Sequence, residues 1–154
     1  MNKAKILVAD DDPKFSRLLT AILNQAGGYE AREENRPFNV QDTARDFRPR
    51  LIVLNANMDG KDGFAISSEI RNDPFLSKIP IIFVTETVSK AGHDVPVGVL
   101  SVSKFVAPRH FLNMVRAACP QFDRPIAAAH NNTVAGLASR RIHPFASRQE
   151  SAAA

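Results

Sequence analysis

A run of four branched aliphatic residues, Leu51–Leu54, is the sequence feature that most constrains the fold. Pro49 precedes the run and a glycine-containing turn follows it, so it predicts a short strand buried on both faces. The strand ends at Asn55. In an open sheet of parallel strands, ligand chemistry gathers at the carboxyl ends of the strands. Asn55 is therefore the first candidate functional residue.

Hydrophobic segments on either side of this strand predict further elements. Strands are expected over 6–9, 29–33, 79–84 and 99–102, and helices over 13–26, 37–47, 64–71 and 109–118. Asp12 is the predicted N-cap of the first helix, with Pro13 at its first position. Because parallel strands need crossover connections, the alternation predicts an α/β fold with a doubly wound parallel sheet of five strands.

One crossover departs from the alternation. Residues 86–98 contain two glycines and a proline, which leave little room for a helix. We expect a loop with at most one helical turn, so the fourth helix of the fold is predicted to be shortened or missing.

The composition limits the domain organisation and the classes of partner. We expect one domain over residues 1–119 and a low-complexity, flexible tail over 120–154, which is rich in alanine and serine and contains three widely spaced prolines. The two parts carry 16 basic against 14 acidic and 4 against 2 residues, too even a balance to predict nucleic-acid binding. The single Cys119 and the lack of a long apolar run predict a cytoplasmic protein that does not enter a membrane.

Polar residues follow four of the five predicted strands. Asp10 and Asp11 follow the first, Asn55 the third, Thr85 the fourth and Lys104 the fifth. Two carboxylates can hold a hard divalent cation such as Mg²⁺. A hydroxyl group and an ammonium group can bind phosphoryl oxygens. Since these strand ends share one edge of the sheet, we expect the five side chains to form one pocket.

This set resembles the receiver domain of bacterial response regulators, over roughly residues 3–118. Asp10 and Asp11 match the family's magnesium-binding acid pair, and Thr85 and Lys104 match the residues that contact the phosphoryl group. The backbone carbonyl of Asn57 matches a further metal ligand. The loop that follows the phosphorylation site in the family is matched by Met58, Gly60, Asp62, Gly63 and Phe64. The resemblance implies a flavodoxin-like sheet with strand order 2-1-3-4-5.

The departures from the family pattern lie at functional positions. Asn55 stands where the family has the aspartate that accepts the phosphoryl group. A neutral amide is a very poor nucleophile, so no acyl phosphate is expected. Asp59 and Phe105 replace usual prolines, and Val102 takes the place of the switching aromatic residue.

Two interpretations of Asn55 follow. The chain is either a stand-alone pseudo-receiver that acts by binding another protein independently of phosphorylation, or a phosphorylatable receiver inactivated by an engineered Asp-to-Asn substitution. The concurrent departures at Asp59, Val102 and Phe105 favour the first. Magnesium binding is expected to be weak or absent. A histidine kinase or another two-component protein is the expected partner. Catalysis is not expected, because neither a glycine-rich phosphate loop nor a nucleophile elbow is present.

Overall fold

A computed structural model describes residues 2–86 and 99–119. Its sheet contains the parallel strands β1 (Ala4–Ala9), β2 (Tyr29–Glu34), β3 (Leu51–Asn55), β6 (Ile81–Thr85) and β7 (Leu100–Ser103). Their spatial order is β2-β1-β3-β6-β7. This is the predicted order 2-1-3-4-5 of a flavodoxin-like sheet, so the fold class is confirmed.

Within the described residues, four α-helices connect or follow these strands. They are α1 (Pro13–Ala26), α2 (Val40–Phe47), α3 (Gly63–Asn72) and α4 (Pro108–Ala118), with a short 3-10 turn at Pro37–Asn39 before α2. The carboxylate of Asp12 accepts a hydrogen bond from the Lys14 N–H at 3.0 Å, which confirms the predicted N-cap of α1. The strand predicted over 79–84 begins only at Ile81, because Pro80 has no N–H to donate to a neighbouring strand.

The core has one layer on each face of the sheet. Residues of β1, β3 and β6 alternate between the faces, so each central strand contributes to both layers. Ile52, Leu54 and Phe83 pack with Val40 and Ala44 of α2 and with residues of α3. On the other face, α1 and α4 contribute the buried side chains Leu19, Leu23, Phe111 and Val115. All five residues of β3 are buried, as predicted for a central strand.

A small antiparallel hairpin was not predicted from the sequence. Its strands, β4 (Asn57–Met58) and β5 (Lys61–Asp62), have two residues each, too few for a periodic pattern to be visible. Gly60 in the turn has φ +80°, a conformation that side chains with a Cβ rarely adopt. The hairpin directly follows β3 and so lies at the carboxyl edge of the sheet.

Two predictions fall mainly outside the described residues. The irregular crossover over 86–98 is described only at Glu86, and the tail over 120–154 is not described. The domain boundary at 119 therefore stays a prediction. Within residues 2–86 and 99–119, no helix has the length and apolar character needed to cross a membrane.

Candidate functional site

Two acidic side chains stand at the end of β1. Asp10 is only 2% exposed, and its Oδ1 accepts a hydrogen bond from the Asp12 N–H at 2.8 Å. Asp11 is half-buried, and its Oδ2 accepts a hydrogen bond from the Asp59 N–H at 3.1 Å. The second contact joins the acid pair to the turn of the β4–β5 hairpin.

Asn55 lies between these acids at the end of β3 and is 4% exposed. Its Nδ2 donates to Asp11 Oδ1 at 2.9 Å and to the backbone carbonyl of Asn57 at 3.1 Å. A longer contact of 3.4 Å reaches Asp10 Oδ1. Its Oδ1 accepts from the Asn57 N–H at 3.2 Å. The amide nitrogen of Asn55 therefore faces the acids, and its carbonyl oxygen faces the backbone.

Lys104 reaches the same pocket from the end of β7. Its Nζ lies 3.0 Å from Asp10 Oδ2 and 3.3 Å from Asp10 Oδ1, and only the contact to Oδ1 has hydrogen-bond geometry. The side chain of Lys104 is 12% exposed, and its Nζ also lies 4.8 Å from the centre of the Phe15 ring. Thr85 joins this edge through its backbone carbonyl, which accepts the Lys104 N–H at 2.8 Å.

Burial raises the pKa of Asp10 above its ordinary value, because a charged carboxylate loses its hydration there. The Asp12 N–H and the Lys104 ammonium group oppose this shift, and the nearby charge of Asp11 adds to it. A charged Asp10 carboxylate in this pocket therefore loses hydration free energy, and the ammonium group of Lys104 offsets part of that loss.

The tight start of α3 fixes the position of the loop after Asn55. The N–H of Gly63 donates to the carbonyl of Ala56 at 3.1 Å. A Cβ at Gly63 would lie 2.3 Å from the backbone oxygen of Asn55, a distance that no packing can accommodate. Glycine at this position therefore lets α3 begin directly against the end of β3, with Asp62 as its N-cap.

The structure brings together most of the predicted site residues. Direct contacts join Asp10, Asp11, Asn55, Asn57 and Lys104, and the backbone of Asp59 belongs to the same group. The remaining two altered positions lie elsewhere. Val102 is buried and Phe105 is 85% exposed, and both line a groove beside α1.

A polar network that was not predicted from the sequence supports the acid pair. Asn35 Nδ2 donates to the backbone carbonyl of Asp10 at 2.7 Å and to Ser16 Oγ at 2.8 Å. The hydroxyl groups of Ser16 and Thr20 donate to the carboxylate of Glu33 at 2.9 and 3.1 Å. Ser16 and Thr20 lie four residues apart, on one face of α1. This spacing could have predicted the network, because a buried polar pair needs hydrogen-bond partners.

A family model of the response regulator receiver domain matches residues 6–115, more than half of the chain. This chain belongs to the response regulator receiver family. Receiver domains are signalling modules of two-component systems, so the predicted resemblance is confirmed at the level of the family.

Curated relatives agree with this assignment. The receiver is 34% identical over 82 residues to Protein PilH of Pseudomonas aeruginosa, covering 53% of this chain and 67% of that protein. It is 28% identical to the polar-differentiation response regulator DivK of Brucella anthropi, covering 61% of this chain and 75% of that protein. Other relatives are longer: the match covers 33% of RpaA, a DNA-binding dual master transcriptional regulator of Synechocystis.

Solved structures share the fold. A putative response regulator from Chloroflexus aurantiacus superposes with a TM-score of 0.69 at 20% identity, covering 77% of this chain and 99% of that one. Chemotaxis response regulator CheY4 of Vibrio cholerae superposes with a TM-score of 0.68 at 22% identity, covering 76% and 99%.

Receiver domains typically bind Mg²⁺ at their acidic pocket, and the oxygen atoms of Asp10, Asp11 and Asn57 have the right chemistry for it. Their arrangement here does not fit a resident ion, because all three already face the amide nitrogen of Asn55. In the described part of the chain, no three His, Cys, Asp or Glu side chains lie close enough together to hold a metal. The weak magnesium site stays a prediction.

Proposed function

We propose that this receiver is a pseudo-receiver that acts by binding another protein without being phosphorylated. The observation that carries the proposal is the amide of Asn55 at the phosphoacceptor position, 4% exposed and hydrogen-bonded on both its nitrogen and its oxygen. A carboxamide has no lone pair available for attack on phosphorus comparable to that of a carboxylate. Asp10 and Asp11 are the nearest carboxylates, and both accept hydrogen bonds from the protein itself.

A groove between α1 and the end of β7 is the proposed binding surface. It has a volume of about 250 Å³, and its rim exposes Leu18 by 54% and Phe105 by 85%. Its other apolar residues are Phe15, Leu19, Ile22, Val84, Val102, Val106, Pro108 and Phe111. Receivers offer their first helix to histidine kinases, so an amphipathic helix of a histidine kinase or of another two-component protein is the proposed partner. The match covers 67% of PilH and 75% of DivK, so most of each of these relatives aligns with the receiver. This supports a function of the domain by itself.

The retained pocket residues support the alternative, that a phosphorylatable receiver was inactivated by substitution of the aspartate at position 55. Lys104 contacts Asp10, and its N–H donates to the backbone carbonyl of Thr85, so the residues that match the family's phosphoryl pocket lie at one edge of the sheet. Asp59, Val102 and Phe105 favour the pseudo-receiver, because a single substitution would leave these positions in their usual form.

Phosphorylation can be measured directly. We expect the intact mass of the protein to stay unchanged after incubation with acetyl phosphate and Mg²⁺. A stoichiometric increase by one phosphoryl group, labile to hydroxylamine, would contradict the proposal and place the acceptor on a neighbouring acid. The matched variant Asn55→Asp separates the two interpretations: complete phosphorylation of this variant would favour the inactivated receiver.

A further inference from the structure

The amide nitrogen of Asn55 occupies a central position in the acidic pocket. Its three neighbours are Asp11 Oδ1 at 2.9 Å, the Asn57 carbonyl oxygen at 3.1 Å and Asp10 Oδ1 at 3.4 Å. These atoms belong to the three residues that the family resemblance assigns to a divalent ion. A primary amide carries two hydrogen atoms, so the two shorter contacts are full hydrogen bonds and the third is weak.

The orientation of this amide is determined by its partners. Its Oδ1 accepts the Asn57 N–H at 3.2 Å, while its Nδ2 faces only oxygen atoms. Rotation by 180° would direct the carbonyl oxygen at Asp11 Oδ1 and at the Asn57 carbonyl, and the NH₂ group at an N–H donor. These contacts would place acceptors against acceptors and a donor against a donor. The hydrogen-bond network therefore requires the observed orientation.

The charges of the acid pair are met by donors of the chain itself. Lys104 contacts Asp10, and the two oxygens of Asp11 accept from Asn55 and from the Asp59 N–H. The contact to Asp59 also ties the β4–β5 hairpin to the end of β1. In this arrangement, the pocket and the hairpin are held together by hydrogen bonds that need no ion.

We propose that the amide group of Asn55 is an internal replacement for the divalent cation: it holds Asp10, Asp11 and the hairpin in place, and Mg²⁺ must displace it in order to bind. The proposal rests on the proposed function, in which the pocket no longer carries out phosphoryl transfer. The alternative role for Asn55 is that of a metal ligand through its carbonyl oxygen, and the two roles are opposite for the same side chain.

The variant Asn55→Ala distinguishes these roles, since it removes the amide without adding charge. Without Mg²⁺, we expect amide hydrogen exchange in residues 57–62 to become about tenfold faster than in the wild type. We also expect Asn55→Ala to bind Mg²⁺ about tenfold more tightly, because the ion no longer displaces hydrogen bonds of the amide. Asn55→Asp should have the lowest unfolding temperature without the ion, because a third carboxylate repels Asp10 and Asp11. Its unfolding temperature should also rise most with Mg²⁺, because the same carboxylate attracts the ion.

Asn24→Ala is the matched control. Asn24 accepts a hydrogen bond from the Ala31 N–H at 3.1 Å, away from the acidic pocket. Its loss should lower the unfolding temperature without changing the response to Mg²⁺. Thermal unfolding across a Mg²⁺ titration measures all four proteins.

A weaker response to Mg²⁺ in Asn55→Ala than in the wild type would overturn the proposal and make Asn55 a ligand. If Asn55→Ala does not fold, the wild type alone provides the test. Adding Mg²⁺ should then leave amide hydrogen exchange in residues 57–62 unchanged. Slower exchange that appears only with Mg²⁺ would overturn the proposal. Neither result depends on phosphorylation. An increase in mass after incubation with acetyl phosphate would contradict the proposed function. A smaller stabilisation by Mg²⁺ in Asn55→Ala than in the wild type would contradict the proposed role of the amide.

Discussion

Asp73, which follows α3, is a buried carboxylate outside the acidic pocket. It is 2% exposed, and its Oδ1 accepts the Phe75 N–H at 2.9 Å. Its Oδ2 accepts hydrogen bonds from Gln41 and Arg45 of α2. Burial by itself raises the pKa of Asp73, but these three donors outweigh it and leave the pKa below the ordinary value. The charged form of Asp73 therefore joins α2 to the end of α3.

The lowered pKa predicts a pH-dependent contribution to stability. The contribution of the charged carboxylate is present above the unfolded pKa of about 3.9 and is lost as the pH falls through the lower folded value. Urea unfolding of the wild type and of Asp73→Asn should therefore show a difference that is constant near neutral pH and shrinks below about pH 4.

Asp46→Asn is the control for this measurement. Asp46 also pairs with an arginine, Arg32, but its side chain is 79% exposed and the pair is screened by water. Its stability curve should run parallel to that of the wild type. Parallel curves for Asp73→Asn as well would show that the contacts of Asp73 do not favour its charged form.

At the scale of single residues, the sequence predicted identities better than orientations. Asp10, Asp11, Asn55 and Lys104 could be assigned to one pocket because each follows a strand of a parallel sheet. The direction of the Asn55 amide could not be predicted, since it depends on which donors and acceptors surround the side chain. The role of Asp73 could not be predicted either, because its partners in α2 are about 30 residues away in the chain.

At the scale of elements, the groove between α1 and the end of β7 makes a specific prediction. Leu18→Glu and Phe105→Glu each place a charge in the proposed apolar contact, so each should weaken binding to the proposed kinase partner at least about tenfold. Phe75→Glu is the matched control, because Phe75 is 84% exposed and lies on another surface. Binding of kinases purified from the source organism, followed by biolayer interferometry, measures the effect. Equal loss in all three variants would argue against this surface.

Element types were predictable where hydrophobic periodicity was strong. The apolar residues of α2 lie three and four positions apart, at Val40, Ala44 and Phe47, and all three are buried. The β4–β5 hairpin was missed because strands of two residues have no period, and its position depends on tertiary contacts such as that between the Asp59 N–H and Asp11. Local sequence therefore determined the large elements, and long-range hydrogen bonds determined the small one.

At the scale of the whole molecule, Lys104 connects the acidic pocket to the groove. Its ammonium group pairs with Asp10 and lies over the ring of Phe15, and Lys104 itself lines the groove. A change in the pocket that moved Lys104 would change the shape of the groove. The ion pair between Lys104 and Asp10 therefore links the acidic pocket to the shape of the groove.

The predicted tail can be tested by truncation. If residues 120–154 do not contribute to the core, a chain that ends at Cys119 should unfold within about 2 °C of the full-length protein. Its response to Mg²⁺ should also be the same. A large fall in the unfolding temperature would show that the domain extends beyond residue 119 and that the predicted boundary is wrong.

The amide of Asn55 affects how signalling by this receiver can be regulated. A side chain of the polypeptide is present once per molecule, whatever the cellular level of magnesium or of phosphodonor. Under the proposed function, a receiver with this amide has no phosphorylated state, so the fraction of modified molecules cannot regulate its partner. The number of copies would then be the regulated quantity, and the synthesis and degradation of the receiver, rather than a kinase, would control signalling.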